Sequence, residues 1–387
     1  MKKRLAIVCT HPIQYYAPVF RLIGESPIID LKVFYTLGEQ AIRNNFDPGF
    51  GKVVSWDIPL LDGYNYELLE NSASNPTTSV FSGIKNPNAV ERIAAFAPDA
   101  ILVYGWLNTS HLKILRKFKG KVPVWFRGDS HLLDAQGPLK KSVRKLLLTW
   151  IYGHVDKAFY VGSANRAYYL NYGLKAHQLT FSPHAIDNER FGQNRSTEAV
   201  ALRTELGASP SDIIIMFAGK LETKKNPAIL LNSFEQIYKP GMILLFVGNG
   251  DLEQSLKEKA RASKVSSLIQ FRDFQNQQIM PVFYQACDIF CLPSNGPGET
   301  WGLSVNEAMA AKKAVIVSNK VGCAFDLISE SNGCIFKAND QHDLINKLLS
   351  LINNRSELPF KGKCSSDIIK DWTFRAQVKI IEKAFDF

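Results

Sequence analysis

Several common signatures are missing from this chain of 387 residues. The longest apolar stretches, such as 213–218 and 242–247, have the length of a strand and fall far short of the about 20 residues that span a bilayer. The apolar run 5–9, behind a basic start, is too short for the core of a signal peptide. These absences predict a soluble, cytoplasmic protein.

Cysteine is scarce, and its six copies form no Cys-x-x-Cys pair and no zinc-like spacing with His. Most of them stand in or beside apolar runs, so we expect reduced packing residues and neither disulfides nor a metal site. No Gly-x-Gly-x-x-Gly follows a strand, which argues against an NAD oxidoreductase. No Asp-x-Asp metal motif occurs either.

Short β-branched runs alternate with longer segments of helical period along the whole chain. In the first half they predict strands at 5–9, 31–35, 100–104, 122–126 and 158–161. In the second half they predict strands at 213–218, 243–247, 268–271, 289–292 and 314–317. Such alternation is typical of parallel sheets with helices on both faces, so we predict an α/β fold with two doubly wound domains. The expected domains are 1–190 and 191–371, followed by an amphipathic helix at 372–387.

The net charge of +10 is concentrated, because residues 111–150 hold ten Lys and Arg against two Asp. No recognition-helix pattern and no basic strands interleaved with aromatic residues occur, so nucleic acid is an improbable partner. Within the basic region, 138–151 sets four cations beside a Val/Leu/Trp stripe. That pattern is typical either of a helix on anionic lipid or of a core-packed helix with a basic outer face.

The most informative stretch is 292–310, where a strand ends, a Gly/Pro loop follows and a helix opens near 302–304. The N–H groups at such a helix start form a natural phosphate site. Glu299 precedes the helix and Glu307 lies in its early turns, so the two carboxylates suit two sets of ligand hydroxyls. The plainer alternative is a surface loop residue and a partner for the helix dipole.

Two further loops strengthen the first interpretation. After the strand 213–218 come Gly219 and Lys220, and Lys225 follows five residues later. A glycine turn with two cations suits a diphosphate, although a solvated lysine cluster has the same pattern. The next strand ends in Gly248-Asn-Gly, where a ligand can approach the backbone.

In combination, these blocks resemble the retaining glycosyltransferases of family four, within the group 1 glycosyltransferases. The resemblance covers roughly residues 155–350 and includes the Glu-seven-residues-Glu spacing, 246–250 and 286–294. It implies the GT-B architecture, in which two facing Rossmann-like domains enclose a cleft. The acceptor side is then the first domain, and the nucleotide-sugar donor binds the second. The resemblance also implies that the helix at 372–387 packs back on the first domain, and the alternative is a terminal helix that packs on its own domain.

The resemblance also implies roles for single residues. Glu299 would hold hydroxyls of the transferred sugar, Glu307 the ribose, and Arg272 in the loop 271–273 would lie against the nucleobase. The residues implied for the rest of donor binding are Gly219, Lys220, Lys225, Gly248, Gly302, Leu303 and Ser304. The family usually has Arg where this chain has Lys220, which keeps the charge and loses the bidentate fork.

The first half departs further from the family. The loop 10–18 has no glycine and resembles a His-Pro-Ile-Gln-Tyr variant of some bacterial members. His11 and Gln14 in it either face the cleft or cap the following helix. After the strand 122–126, Asp129 stands where relatives often place a His near the reacting sugar, and His131 follows two residues later.

The implied function is transfer of a sugar, with retention of configuration, from a nucleotide diphosphate sugar to a glycan or a lipid-linked acceptor. A UDP-sugar is the favoured donor, and no metal or other cofactor is expected. The setting would be bacterial surface polysaccharide synthesis, on the inner face of the plasma membrane if 138–151 binds anionic lipid. The alternatives are a nucleotide-sugar epimerase and a catalytically silent binding subunit of the same fold.

Overall fold

A computed structural model of the protein describes residues 1–43, 46–47, 50–134 and 137–386. The strands are β1 (Lys3–Cys9), β2 (Ile29–Tyr35), β3 (Phe46–Asp47), β4 (Lys52–Val53), β5 (Asn65–Leu68), β6 (Ala100–Tyr104), β7 (Val124–Arg127), β8 (Lys157–Tyr160), β9 (Leu179–Phe181), β10 (Ile213–Ala218), β11 (Met242–Val247), β12 (Ile269–Arg272), β13 (Ile289–Leu292), β14 (Ala314–Ser318) and β15 (Gly333–Phe336). The α-helices are α1 (Ala17–Gly24), α2 (Gln40–Arg43), α3 (Ala89–Ala95), α4 (Thr109–Phe118), α5 (Pro138–Tyr152), α6 (Ser163–Asn171), α7 (Asn188–Gly192), α8 (Ser196–Glu205), α9 (Pro227–Ile237), α10 (Glu253–Ala262), α11 (Met280–Ala286), α12 (Leu303–Ala310), α13 (Ala324–Leu327), α14 (Gln341–Asn353), α15 (Leu358–Ile369) and α16 (Phe374–Lys383). Within the described ranges, no helix has both the length and the apolar content needed to cross a membrane.

Contacts divide the chain into two units, each with its own sheet. The first unit comprises Met1–Asn45, Ile58–Pro183 and Phe374–Phe387, and the second comprises Phe46–Asp57 and His184–Thr373. The sequence analysis places the boundary at 190, whereas the contacts divide before His184. The carbonyl of His184 accepts a hydrogen bond of 2.9 Å from Asn306, which also belongs to the second unit.

The first unit contains a seven-stranded sheet in the order β5-β2-β1-β6-β7-β8-β9, and all neighbouring strands run parallel. Successive side chains of β1 enter opposite faces, with Leu5 and Ile7 in one core and Ala6 and Val8 in the other. Because both faces are buried, the strands have continuous apolar sequences without a polar face. This arrangement confirms the predicted doubly wound class.

The C-terminal helix α16 belongs to the first unit. Val378 and Ile381 pack in the same core as Leu5, and the ring of Phe385 lies 4.7 Å from that of Trp125 between centroids. Within the segment 372–387 that the sequence predicts as helical, the helix itself is Phe374–Lys383. Phe387 lies outside the described residues.

The second unit contains a six-stranded parallel sheet in the order β12-β11-β10-β13-β14-β15. From β10 the chain proceeds outward to β11 and β12 on one side, and then returns to β13 on the other side. This reversal places a crevice at the carboxyl ends of β10 and β13, where doubly wound sheets bind ligands. The loops that leave these two strands are 219–226 and 293–302, which the sequence analysis singles out.

Candidate functional site

The loop after β10 carries two of the predicted donor-binding cations. Gly219 extends the strand pairing, since its N–H donates to the carbonyl of Val247 at 3.0 Å. Lys220 follows, and a 3-10 turn over Thr223–Lys225 brings Lys225 back toward the strand end. A Cβ placed on Gly219 would lie only 3.3 Å from Cδ of Lys225. The absence of a side chain at Gly219 therefore leaves room for the lysine stem.

Lys225 and Glu299 form the central ion pair of the second unit. The Lys225 ammonium donates to Oε2 of Glu299 at 2.6 Å, and the hydroxyl of Ser294 donates to the same oxygen at 2.9 Å. The side chains are 16% and 9% exposed, so the pair is largely removed from water. Burial by itself raises the pKa of the Glu299 carboxyl, but Lys225 and Ser294 outweigh it and hold that pKa below its usual range. Glu299 is thus a charged carboxylate in a buried position.

Gly248, after β11, allows the backbones of two loops to approach closely. Its φ is +133°, and a Cβ at this position would lie 2.1 Å from the carbonyl oxygen of Gly219. No side chain fits there, and the left-handed conformation also favours glycine. At Gly219 and Gly248 the loops after β10 and β11 therefore present bare backbone at the end of the sheet.

The start of α12 faces the same edge of the sheet. Gly302 precedes the helix with φ of +95°, and Leu303 and Ser304 form its first turn. The backbone N–H groups of a first turn have no partner within the helix, so they are donors for an anion. Trp301 donates to the side chain of Asn306 at 3.0 Å, which holds the loop against the helix.

Glu307 is buried inside α12, with only 4% exposure. The hydroxyl of Tyr284 in α11 donates to its Oε2 at 2.8 Å. Tyr284 is not among the residues that the sequence indicates, and neither is Ser294 as a partner of Glu299. The first contact joins two separate helices, and the second lies within the loop after β13. No local sequence pattern indicates either of them.

The loop after β12 is held by Asn249. Its amide Nδ2 donates to Asp273 at 3.0 Å, and its Oδ1 accepts from the N–H of Phe274 at 2.8 Å. Arg272, predicted to lie against a nucleobase, donates through Nη2 to Glu205 at 2.9 Å. These bonds give the loop a defined conformation beside Gly248.

A strap from the segment Phe46–Asp57 covers the loop after β12, although its chain neighbours belong to the first unit. The rings of Phe50 and Trp56 contact that of Phe274, with centroids 4.8 and 5.7 Å away. Lys220 lies over one of these two rings, with its Nζ 5.0 Å from the centroid of Phe50. Gln278 donates to the carbonyl of Asp57 at 2.7 Å. The sequence analysis contains no indication of this strap.

The predicted residues of the first unit lie at the carboxyl ends of β1 and β7. His11 follows β1, and its Nδ1 is 2.9 Å from the hydroxyl of Thr10, while Gln14 is half-buried in the same loop. Asp129 follows β7, and its charge, together with the larger effect of burial, raises the pKa of Tyr16 in the β1 loop. His131 is buried, and its Nδ1 accepts from the N–H of Leu133 at 3.3 Å. Because β1, β6 and β7 are neighbours in one parallel sheet, Asp129 and the loop that contains His11 and Gln14 lie at the same edge of that sheet.

Known proteins resemble the second half of this chain in sequence. Residues 201–364 match the sequence profile of the family described as glycosyl transferases group 1. D-inositol 3-phosphate glycosyltransferase of Segniliparus rotundus is 26% identical over 170 residues, which are 42% of this chain and 37% of that protein. Sulfoquinovosyl transferase of Arabidopsis thaliana is 23% identical over 205 residues, 52% of this chain and 38% of the relative. These alignments span less than half of the relatives' own length.

Solved structures resemble the whole chain. HepE of Anabaena, in complex with UDP and glucose, is 15% identical, with 100% of both chains covered and a TM-score of 0.71. Sucrose-phosphate synthase from Thermosynechococcus elongatus is 16% identical, with 100% of this chain and 98% of that chain covered and a TM-score of 0.74. At such identities the likeness establishes the fold, which is GT-B. The segment that matches the group 1 glycosyl transferase profile, residues 201–364, contains Lys225, Glu299 and Glu307.

Proposed function

We propose that this protein transfers a sugar from a nucleotide diphosphate sugar, with UDP as the favoured nucleotide, to a hydroxyl of a glycan or lipid-linked acceptor. The observation that carries the proposal is the buried Lys225–Glu299 pair beside the start of α12. It places a cation, a charged carboxylate and a set of backbone N–H donors within one crevice. The UDP and glucose bound to the fold relative HepE support the choice of donor.

In this proposal the donor diphosphate lies against the helix start. The N–H groups of Gly302, Leu303 and Ser304 and the ammonium groups of Lys220 and Lys225 neutralise its charge. The backbone at Gly219 and Gly248 lets the diphosphate approach closely. Because these donors are already oriented, they stabilise the leaving phosphate without reorganisation, and we propose that no metal is required.

The carboxylates hold the two sugars of the donor. Glu299 accepts from hydroxyls of the transferred sugar, and Glu307 accepts from the ribose. Arg272 and its loop contact the nucleobase. Asp129, His131, His11 and Gln14 remain predictions for contacts near the transferred sugar and the acceptor.

The proposed reaction retains the anomeric configuration. The bond between the anomeric carbon and the donor phosphate breaks, and the acceptor oxygen bonds to that carbon on the same face. The proton of the acceptor hydroxyl passes to an oxygen of the leaving phosphate. The nucleoside diphosphate is the second product.

The test compares Glu299→Gln and Glu299→Ala with Glu258→Gln, a control at an exposed position of the same unit. We expect both Glu299 variants to melt cooperatively and to lose donor turnover by about 100-fold or more, because the transferred sugar is no longer positioned. Glu258→Gln should keep full activity. Near-normal turnover in the Glu299 variants would refute the assignment.

Two rival functions make different predictions in the same assay. An epimerase would convert a UDP-sugar into its epimer without any acceptor, which NMR of the donor alone would reveal. A silent binding subunit would bind UDP, with a rise in melting temperature, but neither hydrolyse nor transfer the sugar. Sugar transfer that depends on an acceptor would contradict both.

For location, we propose that α5 attaches the protein to an anionic membrane surface on the cytoplasmic side, as in bacterial polysaccharide synthesis. Leu139 and Leu146 of this helix are 79% and 77% exposed, and Trp150 is 46% exposed, with Lys141 and Lys145 between them. Such a face suits the boundary between headgroups and acyl chains. Vesicles with phosphatidylglycerol should bind the protein at low salt and release it as salt increases, and no binding at low salt would refute this location.

A further inference from the structure

A cavity of about 760 Å³ lies within the first unit, beside α5. It is bordered by Gly105 and Gly128, which follow the carboxyl ends of β6 and β7. Its walls are mainly aromatic and aliphatic and include Trp106, Phe126 and Tyr169. The volume falls in the range of about 300–1,000 Å³ that is typical of sites for small ligands.

The helix α5 contributes one wall of this cavity. Leu148 is fully buried in it, whereas Leu147 and Val143 line it at 45% and 60% exposure and therefore lie toward its mouth. Apolar surface thus continues from the buried wall to the exposed face of the helix. An apolar chain could enter here without crossing a polar barrier.

Two cations, Lys140 and Arg144, line the same cavity. The guanidinium of Arg144 donates through Nη2 to the hydroxyl of Tyr168 at 3.2 Å. Its Nε is buried and has no hydrogen-bond partner among the residues that the structure describes. Buried polar groups of native proteins are nearly always paired. The Nε–H of Arg144 is therefore an unsatisfied donor of a charged group in the wall of this cavity, and an anion is the partner that suits it best.

We infer that this cavity holds the apolar chain of a phosphate-bearing acceptor, with the phosphate at Arg144 and Lys140. The identification of the occupant as the acceptor rests on the proposed function. Asp129 is part of the same lining, so the polar end of the ligand would be next to a residue predicted to lie near the reacting sugar. The carboxylate of Asp129 also repels an anion, which favours the α5 side of the cavity for the phosphate.

The test uses octyl phosphate and decyl phosphate as probes, titrated calorimetrically below their micelle concentrations. Each buried methylene contributes about fourfold in affinity, so decyl phosphate should bind roughly 14-fold more tightly than octyl phosphate. Octyl glucoside, which has the chain without the charge, should bind more weakly than octyl phosphate. Inorganic phosphate should not compete. Equal affinities for the two chain lengths, or full competition by inorganic phosphate, would overturn the inference.

Matched variants of α5 separate the cavity from the helix surface. Arg144→Gln should weaken the binding of decyl phosphate by about tenfold and leave the affinity for octyl glucoside unchanged. Val143→Trp should block the mouth of the cavity and weaken the binding of both compounds. Lys141→Gln and Leu146→Trp change the same helix outside the lining, and they should bind as the wild type does within twofold. Because all four positions are at least partly exposed, each variant should keep the wild-type melting temperature. Equal effects at all four positions would assign the amphiphile to the helix surface and refute the cavity site.

Two further measurements complete the test. Phosphatidylglycerol vesicles distinguish a bilayer lipid from an acceptor chain, because Val143→Trp should leave vesicle binding intact if the occupant is the acceptor. If Val143→Trp loses vesicle binding to the same extent as decyl phosphate binding, the cavity holds bilayer lipid and the acceptor assignment is overturned. UDP binding, measured on the same preparations, reports on the proposed function separately. Its failure would refute that function, whereas failure of decyl phosphate alone refutes only this inference.

Discussion

Removal of the Lys225 ammonium is the most direct perturbation of the second unit. In Lys225→Met the carboxylate of Glu299 keeps the hydroxyl of Ser294 but loses its cation at 2.6 Å. At an effective dielectric constant of about 20, the lost attraction is about 6 kcal/mol. Part of this was offset by desolvation of Lys225 in the folded protein, and that cost disappears with the substitution.

The net loss in free energy of unfolding depends on the charge of Glu299, which remains buried in the variant. Removal of one partner of a buried pair typically costs about 3–5 kcal/mol, because an uncompensated charge stays inside the protein. We expect about 3 kcal/mol here, since Ser294 still donates to Glu299 and the lysine side chain was 16% exposed. For a unit of about 200 residues, this corresponds to a drop in melting temperature of about 6–12 °C.

The assay is thermal unfolding at pH 7, followed by circular dichroism, as a double-mutant cycle with Glu299→Gln. The double variant has no buried charge at the pair. Its loss in free energy of unfolding should therefore be clearly smaller than the sum of the losses of the two single variants. Lys337→Met is the control, because the pair of Lys337 with Asp340 is 3.8 Å long and its lysine is 74% exposed. Its melting temperature should not change measurably.

The pH dependence gives an independent check of the same pair. The folded-state pKa of Glu299 lies below the unfolded value of about 4.3. Its stabilisation is therefore present above about pH 4.3 and disappears as the pH falls through the folded-state value. The gap in melting temperature between the wild type and Glu299→Gln should be largest near pH 7 and vanish in acid. Additive single costs, or a gap that persists in acid, would refute the argument.

Three shorter predictions concern the same unit. Tyr284→Phe removes a hydroxyl that donates to the buried Glu307 carboxylate, so thermal melts should show a loss of about 2 kcal/mol, and an unchanged melting temperature would contradict a stabilising role of this bond. Gly248→Ala should be far more destabilising than Gly207→Ala, because both have positive φ but only the former clashes with backbone, at Gly219. Sugar transfer should survive dialysis against EDTA, as measured by donor turnover, and a loss that Mg²⁺ restores would contradict the proposed metal-free mechanism.

The fold was predictable because its strands are buried on both faces. Runs such as 213–218 and 289–292 have no polar face, and these segments coincide with β10 and β13. Their order along the chain already implies parallel strands with helices between them. The strap could not be predicted in the same way. Its contacts with Phe274 and Gln278 join positions more than 200 residues apart, and nothing in its own sequence signals them.

The candidate site was predictable to the extent that it consists of strand ends. Gly219 and Lys220 follow β10 directly and Glu299 lies in the loop after β13, so a parallel sheet places both loops along one edge. The pairing of Lys225 with Glu299 depends on the 3-10 turn that returns the lysine to the strand end. That turn, and the hydroxyl of Tyr284 on Glu307, are products of packing between separate helices and loops. Sequence patterns carry little information on such contacts.

The helix α5 illustrates how the structure changes a question about charge. The sequence leaves open a lipid-bound helix and a core-packed helix with a basic outer face. In the structure Leu148 and Ile151 pack in the core, whereas Leu146 and Trp150 are exposed on the same helix. Single exposed apolar side chains are common on protein surfaces, whereas several of them on one helix face beside cations form a patch that suits an interaction surface. One face of α5 therefore packs in the core of the first unit, and the other carries the exposed apolar side chains and cations on which the proposed contact with an amphiphilic anion rests.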